Sequence, residues 1–139
     1  MNRVVHFEIH AVDPEKLGKF YADVFGWKIE EWKFPEGVEI SPENRYWGVM
    51  TAEKDSKDPG INGGIVFRKG ALPKGNEPVT SFVCTIGVSS VDEYLKKVES
   101  AGGSVALPKM PIAGMAWLAY CKDPDGNIFG IYEDNTSAK

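Results

Sequence analysis

The stretch HFEIHAVDPEKLGKFYADVFG, residues 6–26, decides the fold because it predicts a strand that leads directly into a helix with two marked ends. Asp13 can accept hydrogen bonds from the amides of the first turn, and Pro14 stands at the first helical position, whose amide needs no partner. Apolar residues then recur at helical spacing until Gly26 ends the run. Polar and apolar residues alternate in the strand before the helix, as they do when one face of a strand is buried.

The same pattern recurs 77 positions later. Ser90 falls on Asp13 as a helix cap, with Glu93 completing a capping box, and Gly103 falls on Gly26 as the predicted end of the second helix. The apolar positions of the two helices coincide as well: Tyr94, Val98 and Ala101 fall on Leu17, Tyr21 and Val24. A strand followed by a helix therefore occurs twice in the same phase.

Three further strands are predicted in each half from β-branched and aromatic runs. They are WKIEEWK (27–33), YWGVM (46–50) and INGGIVF (61–67), then SVAL (104–107), MAWLAYC (115–121) and NIFGIY (127–132). The predicted fold class is α+β, with two tandem βαβββ modules in a single domain of residues 1–139: module one 1–68, a Gly- and Pro-rich linker 69–78, and module two 79–139. Because one module is too small to bury its sheet alone, we expect curved mixed sheets around a cleft, with the helices outside.

Composition and charge exclude several classes of protein. Hydrophobic residues make up 42% and charged residues 26% of the chain, as in globular domains rather than disordered ones. The net charge of -4, with scattered basic residues, argues against nucleic acid or a membrane surface as a partner. No apolar run reaches the length of a membrane span and no signal-peptide pattern is present, so we expect a cytoplasmic protein. Cys84 and Cys121 lie in apolar runs and are interpreted as reduced core residues.

The first strand carries the only two histidines of the sequence, His6 and His10, with Glu8 between them. Residues two apart point the same way in a strand, so all three should share one face. The alpha carbons of the two histidines are about 13 Å apart in a strand, too far for both rings to bind one ion together with Glu8. Two interpretations of His6 stay open: a metal site with Glu8 and a third group, or a hydrogen-bonded polar residue that lines the cleft. For His10 we expect a surface position.

Three segments together resemble a known family: VVHFEIHAVD running into PEKLGKFYADVFGWKI, the stretch KMPIAGMAWLAYCKDPDGN, and the last strand IFGIYED. They look like the glyoxalase I, bleomycin-resistance and extradiol dioxygenase superfamily, also called vicinal oxygen chelate proteins. The resemblance covers nearly the whole chain and includes the repeat of two modules. It implies a homodimer with the clefts near the interface.

The resemblance also implies where a divalent metal would be held, since metal-dependent members place ligands on the first and last strands of each module. His6 matches the first-strand position of module one, but the matching residue of module two is Val83. The carboxylate expected four residues after the Gly of DPDG is replaced by Gly130, and INGGIVFR contains no His, Asp, Glu or Cys. An open catalytic site needs about three protein ligands, so we expect no metal cofactor. A divalent ion held by other ligands is the alternative.

Four further residues are candidates for the lining of the cleft. Alternation in the last strand predicts that Gly130 and Tyr132 face the cleft, with Gly130 leaving space where relatives carry a metal ligand. Trp47 and Trp117 lie on neighbouring strands and could line a pocket, although the core is the alternative for both, and AWLAYC does not decide which face Trp117 takes. Residues 106–115 are predicted to form a loop, either a lid or a packed connection.

The favoured hypothesis is a protein that binds a small, partly apolar molecule in the cleft without a divalent metal, similar to the bleomycin-resistance branch. The predicted ligand-binding residues are His6, Glu8, Trp47, Trp117, Gly130 and Tyr132. The alternative is a lyase or isomerase of the glyoxalase type, with His6 as a residual metal ligand or base and Glu8 as its proton partner. We expect a small-molecule ligand and a homodimer, with no nucleic-acid or membrane partner.

Overall fold

The computed structural model describes Val4, residues 6–79 and residues 82–139; Val5, which the sequence pattern assigns to the first strand, lies outside the described residues. The element order is that of two βαβββ modules, which confirms the predicted α+β class. Module one contains β1 (Phe7–Ala11), α1 (Pro14–Phe25), β2 (Lys28–Glu31), β3 (Tyr46–Met50) and β4 (Gly63–Phe67). Module two contains β5 (Thr85–Gly87), α2 (Val91–Ser100), β6 (Ser104–Ile112), β7 (Ala116–Lys122) and β8 (Ile128–Asp134).

Each module folds its four strands into a mixed sheet with the same order. The first sheet is ordered β1-β4-β3-β2 and the second β5-β8-β7-β6. The first and last strands of each module pair in parallel, and the other neighbours are antiparallel. Side chains of β1 and β4, which are far apart in sequence, therefore become neighbours on one face of the first sheet.

Helix α1 begins and ends at the predicted residues. The Asp13 carboxylate accepts a hydrogen bond from the Lys16 amide at 3.0 Å, and Gly26 ends the helix with a left-handed φ of 71°. The apolar face of α1 packs on one face of the first sheet, where the backbone at Gly18 approaches Ile29 and Ile65. The buried residues that α1 contributes are Pro14, Leu17, Gly18, Phe20, Tyr21 and Val24. The core of module one therefore lies between α1 and this face of the sheet.

Helix α2 begins as predicted but ends differently. The Ser90 hydroxyl accepts a hydrogen bond from the Glu93 amide at 3.3 Å. The left-handed residue after the helix is Gly102, with φ 93°, so the predicted end at Gly103 is wrong. Gly103 has another role, because a Cβ there would stand 2.7 Å from Cγ1 of Val98. A glycine is needed at position 103 because the chain that enters β6 packs closely against α2.

Two further expectations for module two are corrected by the structure. Most of residues 106–115 belong to β6, which continues to Ile112 and pairs with β7 through register shifts, so this segment is not a loop. Pro108 and Pro111 fit there because β6 lies at the edge of its sheet, where a missing amide is tolerated. Cys121 is buried as predicted, whereas Cys84 is exposed and does not belong to the core.

The chain divides into two compact units, Met1–Ala71 and Leu72–Lys139. The division falls inside the predicted linker 69–78, and each unit contains one sheet with its helix. Among the described residues, neither helix combines the length and the apolar character needed to cross a membrane.

Candidate functional site

The face of the first sheet opposite α1 carries the polar residues of β1. Glu8 and His10 point to this face, as the alternation predicts, because Phe7, Ile9 and Ala11 are the more buried residues of the strand. Glu8 pairs across with Gly64 of β4, and Gly64 pairs with Gly48 of β3. We call this surface, formed by Glu8, His10, Tyr46, Gly48 and Gly64 with His6 beside it, the open face of the first sheet.

Tyr46 is the residue of the open face that the sequence analysis missed. Its phenol extends over Gly64 so closely that a Cβ on this glycine would overlap the phenol oxygen and ring. The Tyr46 Oη atom lies 3.2 Å from Nε2 of His6, a hydrogen bond whose direction follows the tautomer of the imidazole. The two rings are inclined by 20° with their centroids 6.5 Å apart. His6 is therefore a hydrogen-bonded polar residue, which is one of the two interpretations left open by the sequence.

The environment of Tyr46 keeps its hydroxyl protonated. Burial raises the pKa of the phenol above its ordinary value of 10, and the negative charge of Glu8 raises it further. At neutral pH the hydroxyl can therefore both donate and accept a hydrogen bond. A signal for this residue exists in the sequence, since glycine inside a strand marks a close approach of another group, and INGGIVF contains two.

On the second sheet, Gly130 and Tyr132 lie on the face opposite α2, in agreement with the alternation predicted for the last strand. Gly130 pairs with Thr85, and a Cβ on Gly130 would stand 2.7 Å from Oγ1 of Thr85. The Thr85 side chain thus occupies the space that the sequence analysis assigned to a missing ligand. A hydrogen bond with Asp134 raises the pKa of the Tyr132 phenol above 10.

Neither tryptophan that was predicted to line the site shares the open face with His6 and Glu8. Trp47 pairs with Ile65 and Glu31, which places it on the side of the first sheet that α1 covers, and it is 4% exposed. There it contributes to a hollow of about 270 Å³ that is lined mainly by residues of α1 and β2. Trp117 pairs with Glu133 on the helix-covered side of the second sheet, beneath the Lys109 ammonium. Both strands are apolar on both faces, so the sequence pattern could not decide between them.

Within the described residues, the donor set does not fit the divalent metal that the family resemblance implies. No group of three or more His, Cys, Asp or Glu side chains converges in the part of the chain that the structure describes. Glu133, the carboxylate closest to Gly130 in the last strand, turns to the helix side and accepts the Val91 amide at 2.9 Å. Asp123 is buried and accepts hydrogen bonds from the amides of its own turn. A divalent ion in an open site needs about three protein ligands, and this donor set does not supply them.

Comparison with known proteins agrees with this fold. The family model described as the Glyoxalase/Bleomycin resistance protein/Dioxygenase superfamily matches residues 3–131. The protein CFP32 of Mycobacterium bovis, whose name refers to a glyoxylase, is 25% identical over 128 residues, and CFP32 of Mycobacterium tuberculosis is equally similar. These residues are 92% of the chain but 44% of the length of CFP32, so the chain spans less than half of these relatives.

Solved structures share the fold at low sequence identity. A manganese complex of the fosfomycin resistance protein FosX from Listeria monocytogenes superposes with a TM-score of 0.67 at 19% identity, covering 97% of this chain and 94% of FosX. Glyoxalase I from Zea mays superposes with a TM-score of 0.67 at 18% identity, and the match covers 94% of this chain and 45% of the enzyme. TioX from Micromonospora gives 0.60 at 17% identity over 96% of this chain and all of TioX. The chain belongs to the glyoxalase, bleomycin resistance protein and dioxygenase superfamily.

Proposed function

We propose that this protein binds a small molecule on the open face of the first sheet, and that it does so without the divalent metal used by metal-dependent members of its superfamily. The observation that carries the proposal is the hydrogen bond of 3.2 Å between His6 and Tyr46 above Gly64. The imidazole of His6, at the position that holds a metal ligand in metal-dependent relatives, is hydrogen-bonded to the phenol of Tyr46. The neighbouring strand β4 carries Gly64 at this place and no second ligand.

The chemistry of the open face supports binding of a partly apolar molecule. Gly48 carries no side chain and a Cβ there would meet nothing closer than 3.8 Å, so the sheet backbone is open beside the Tyr46 ring, which covers Gly64. Tyr46 provides an aromatic ring together with a hydroxyl, and His6 provides an imidazole. A few polar groups beside apolar surface are the usual lining of a small-molecule site. Of the six residues predicted from sequence, His6 and Glu8 are retained on this face.

Elemental analysis tests the metal-free part of the proposal. Protein purified without chelator is incubated with Ni, Zn, Mn, Fe or Co and then desalted, and we expect no metal above background. Near-stoichiometric metal that the His6→Ala variant fails to bind would contradict the proposal. His10→Ala is the matched control because it removes the other imidazole of the sequence, which lies in β1.

Catalysis without a metal is the second candidate function, and one observation favours it. His6 and Glu8 lie on the same face as Tyr46 of β3, whose phenol extends over Gly64 toward them, so a base, a carboxylate and a protonated phenol are close together. A lyase or isomerase of the glyoxalase type would use His6 as the base and Glu8 as its proton partner. If an activity is found, unchanged turnover in His6→Ala and Glu8→Ala would eliminate this assignment.

We also propose a cytoplasmic homodimer, as in the sequence analysis. Light scattering coupled to size-exclusion chromatography tests the dimer. A single species with the mass of one 15.3 kDa chain would contradict it.

A further inference from the structure

The open face of the first sheet carries an exposed carboxylate, that of Glu8. Lys28 and Glu30 of β2 form an ion pair at 3.2 Å, so these two charges largely cancel each other. Glu8 of β1 is exposed, and among the described residues its carboxylate has no ion pair and no hydrogen bond. Glu8 therefore presents an exposed negative charge at the position next to Gly64. The guanidinium of Arg68, the residue after β4, donates to the carbonyl of His10 at 2.9 Å.

The hydroxyl of Tyr46 lies beside this charge. Because Glu8 is paired across with Gly64 and the phenol extends over Gly64, the carboxylate and the hydroxyl are neighbours on the same face. The hydroxyl oxygen has two lone pairs and one hydrogen. Whichever way the hydrogen bond to His6 runs, at least one lone pair remains to accept a hydrogen bond from a ligand. Glu8 and Tyr46 thus offer two adjacent acceptors.

We propose that Glu8 and Tyr46 select ligands that carry a protonated nitrogen, such as an ammonium, amidinium or guanidinium ion, next to a flat apolar group. The carboxylate of Glu8 accepts a charge-assisted hydrogen bond from the cation, and the Tyr46 hydroxyl accepts a second one. The apolar group lies over Gly48, where no side chain obstructs it. Anions are disfavoured because they approach the unpaired carboxylate. This inference rests on the function proposed above and specifies its ligand class.

Three probes of the same size and shape test the inference: benzamidine, benzamide and benzoate, which are cationic, neutral and anionic at neutral pH. Each is titrated into the isotope-labelled full chain, and amide chemical shifts report both the site and the affinity. We expect benzamidine to shift the amides of β1, β3 and β4 and to bind about tenfold more tightly than benzoate, since attraction and repulsion at an exposed charge are each worth up to roughly 1 kcal/mol.

Three variants separate the contributions. Glu8→Gln should bring the affinities for benzamidine and benzoate to within about twofold of each other. Tyr46→Phe should weaken benzamidine and benzamide together by about fivefold, because both lose a hydrogen bond to the hydroxyl. Glu36→Gln is the matched control, because it removes the same charge from an exposed residue of the segment between β2 and β3, and it should leave the preference unchanged.

The outcomes distinguish this inference from the proposed function. Binding of all three probes on the open face with equal affinity would overturn the selection for cations and leave the binding function standing. An equal loss of preference in Glu36→Gln and Glu8→Gln would also overturn the assignment to Glu8. Shifts confined to other parts of the chain, or no shifts with any probe, would contradict both proposals.

Discussion

The two sheets have the same strand order, yet the faces opposite their helices differ in chemistry. At equivalent positions of the last strands stand Gly64 and Gly130, each paired with the first strand of its module. In the first sheet the space above the glycine is occupied by the phenol of Tyr46, which bonds to His6. In the second it is occupied by the short side chain of Thr85. The comparison teaches that two sheets of the same strand order can carry different side chains above equivalent glycines.

The sharpest test of a shared scaffold is the residue after each glycine. Ile65 and Ile131 are both fully buried between sheet and helix. We expect Ile65→Ala and Ile131→Ala each to lower the free energy of unfolding by about 3 kcal/mol, from lost burial and the cavity left behind. Urea denaturation measures the loss, and Val38→Ala, at a residue that is 51% exposed, is the control. A loss at one position only would break the equivalence of the two cores.

Substitution of Gly64 should break the hydrogen bond between His6 and Tyr46, whereas substitution of Gly130 should not. Gly64→Ala forces the Tyr46 phenol away, and we expect the free energy of unfolding to fall by about 2 kcal/mol. The hydrogen bond between Tyr46 and His6 should be lost as well, which NMR of the imidazole detects. Gly130→Ala displaces Thr85 and should leave the imidazole signal unchanged. Gly48→Ala controls for a glycine of the same face, since the closest contact of its Cβ would be 3.8 Å. An unaltered His6 resonance in Gly64→Ala would contradict the geometry of the site.

The helix starts provide a smaller contrast. Helix α1 begins at Pro14, which has no amide, whereas the first amide of α2, that of Val91, donates to Glu133 at 2.9 Å. Glu133→Ala should therefore lower the free energy of unfolding by about 1 to 2 kcal/mol, because the Val91 amide loses a charged acceptor at the N-terminus of α2. Thermal unfolding measures the change against Glu36→Ala, which alters an exposed loop residue. Equal effects of the two substitutions would show that Glu133 does not stabilise α2.

The smallest expected effect concerns two phenols whose pKa values are both raised above 10. Burial is the main cause for Tyr46 and Glu8 a secondary one, whereas a hydrogen bond with Asp134 is the main cause for Tyr132. Glu8→Gln should therefore lower the pKa of Tyr46 less than Asp134→Asn lowers that of Tyr132, as followed by the ultraviolet absorbance of tyrosinate. The opposite order would show that Glu8 dominates the first site.

The same shifts fix the sign of the pH dependence. A phenol whose pKa is higher in the folded protein binds its proton more tightly there than in the unfolded chain. The stabilisation is fully present below the unfolded pKa of 10 and is lost as the pH rises through the folded value. Tyr46→Phe should accordingly reduce the loss of stability above pH 10, and an unchanged alkaline profile would contradict the raised pKa.

Local signals predicted the fold well because they act within a few residues. The caps Asp13 and Ser90 mark both helices, and the repeat predicts that both halves fold alike. The site depends on pairing between distant strands, and this register placed Tyr46 over Gly64 without any local signal at Tyr46 itself. An edge position made the prolines of β6 compatible with a strand, which is a fact about sheet order that periodicity does not contain.

The matched glycines also bear on how such a protein can change. The side chains that follow them, Ile65 and Ile131, point into the cores. A new side chain at Gly64 or Gly130 would therefore project from the face of its sheet opposite the helix, away from the core. At Gly130 the obstacle is the side chain of Thr85, and a paired substitution such as Gly130→Glu with Thr85→Gly would remove this contact and add a carboxylate to that face of the second sheet. The residues that form the cores and the residues that face a ligand are therefore different ones. Substitutions at Gly64 and Gly130 could change ligand specificity while the core residues stay the same.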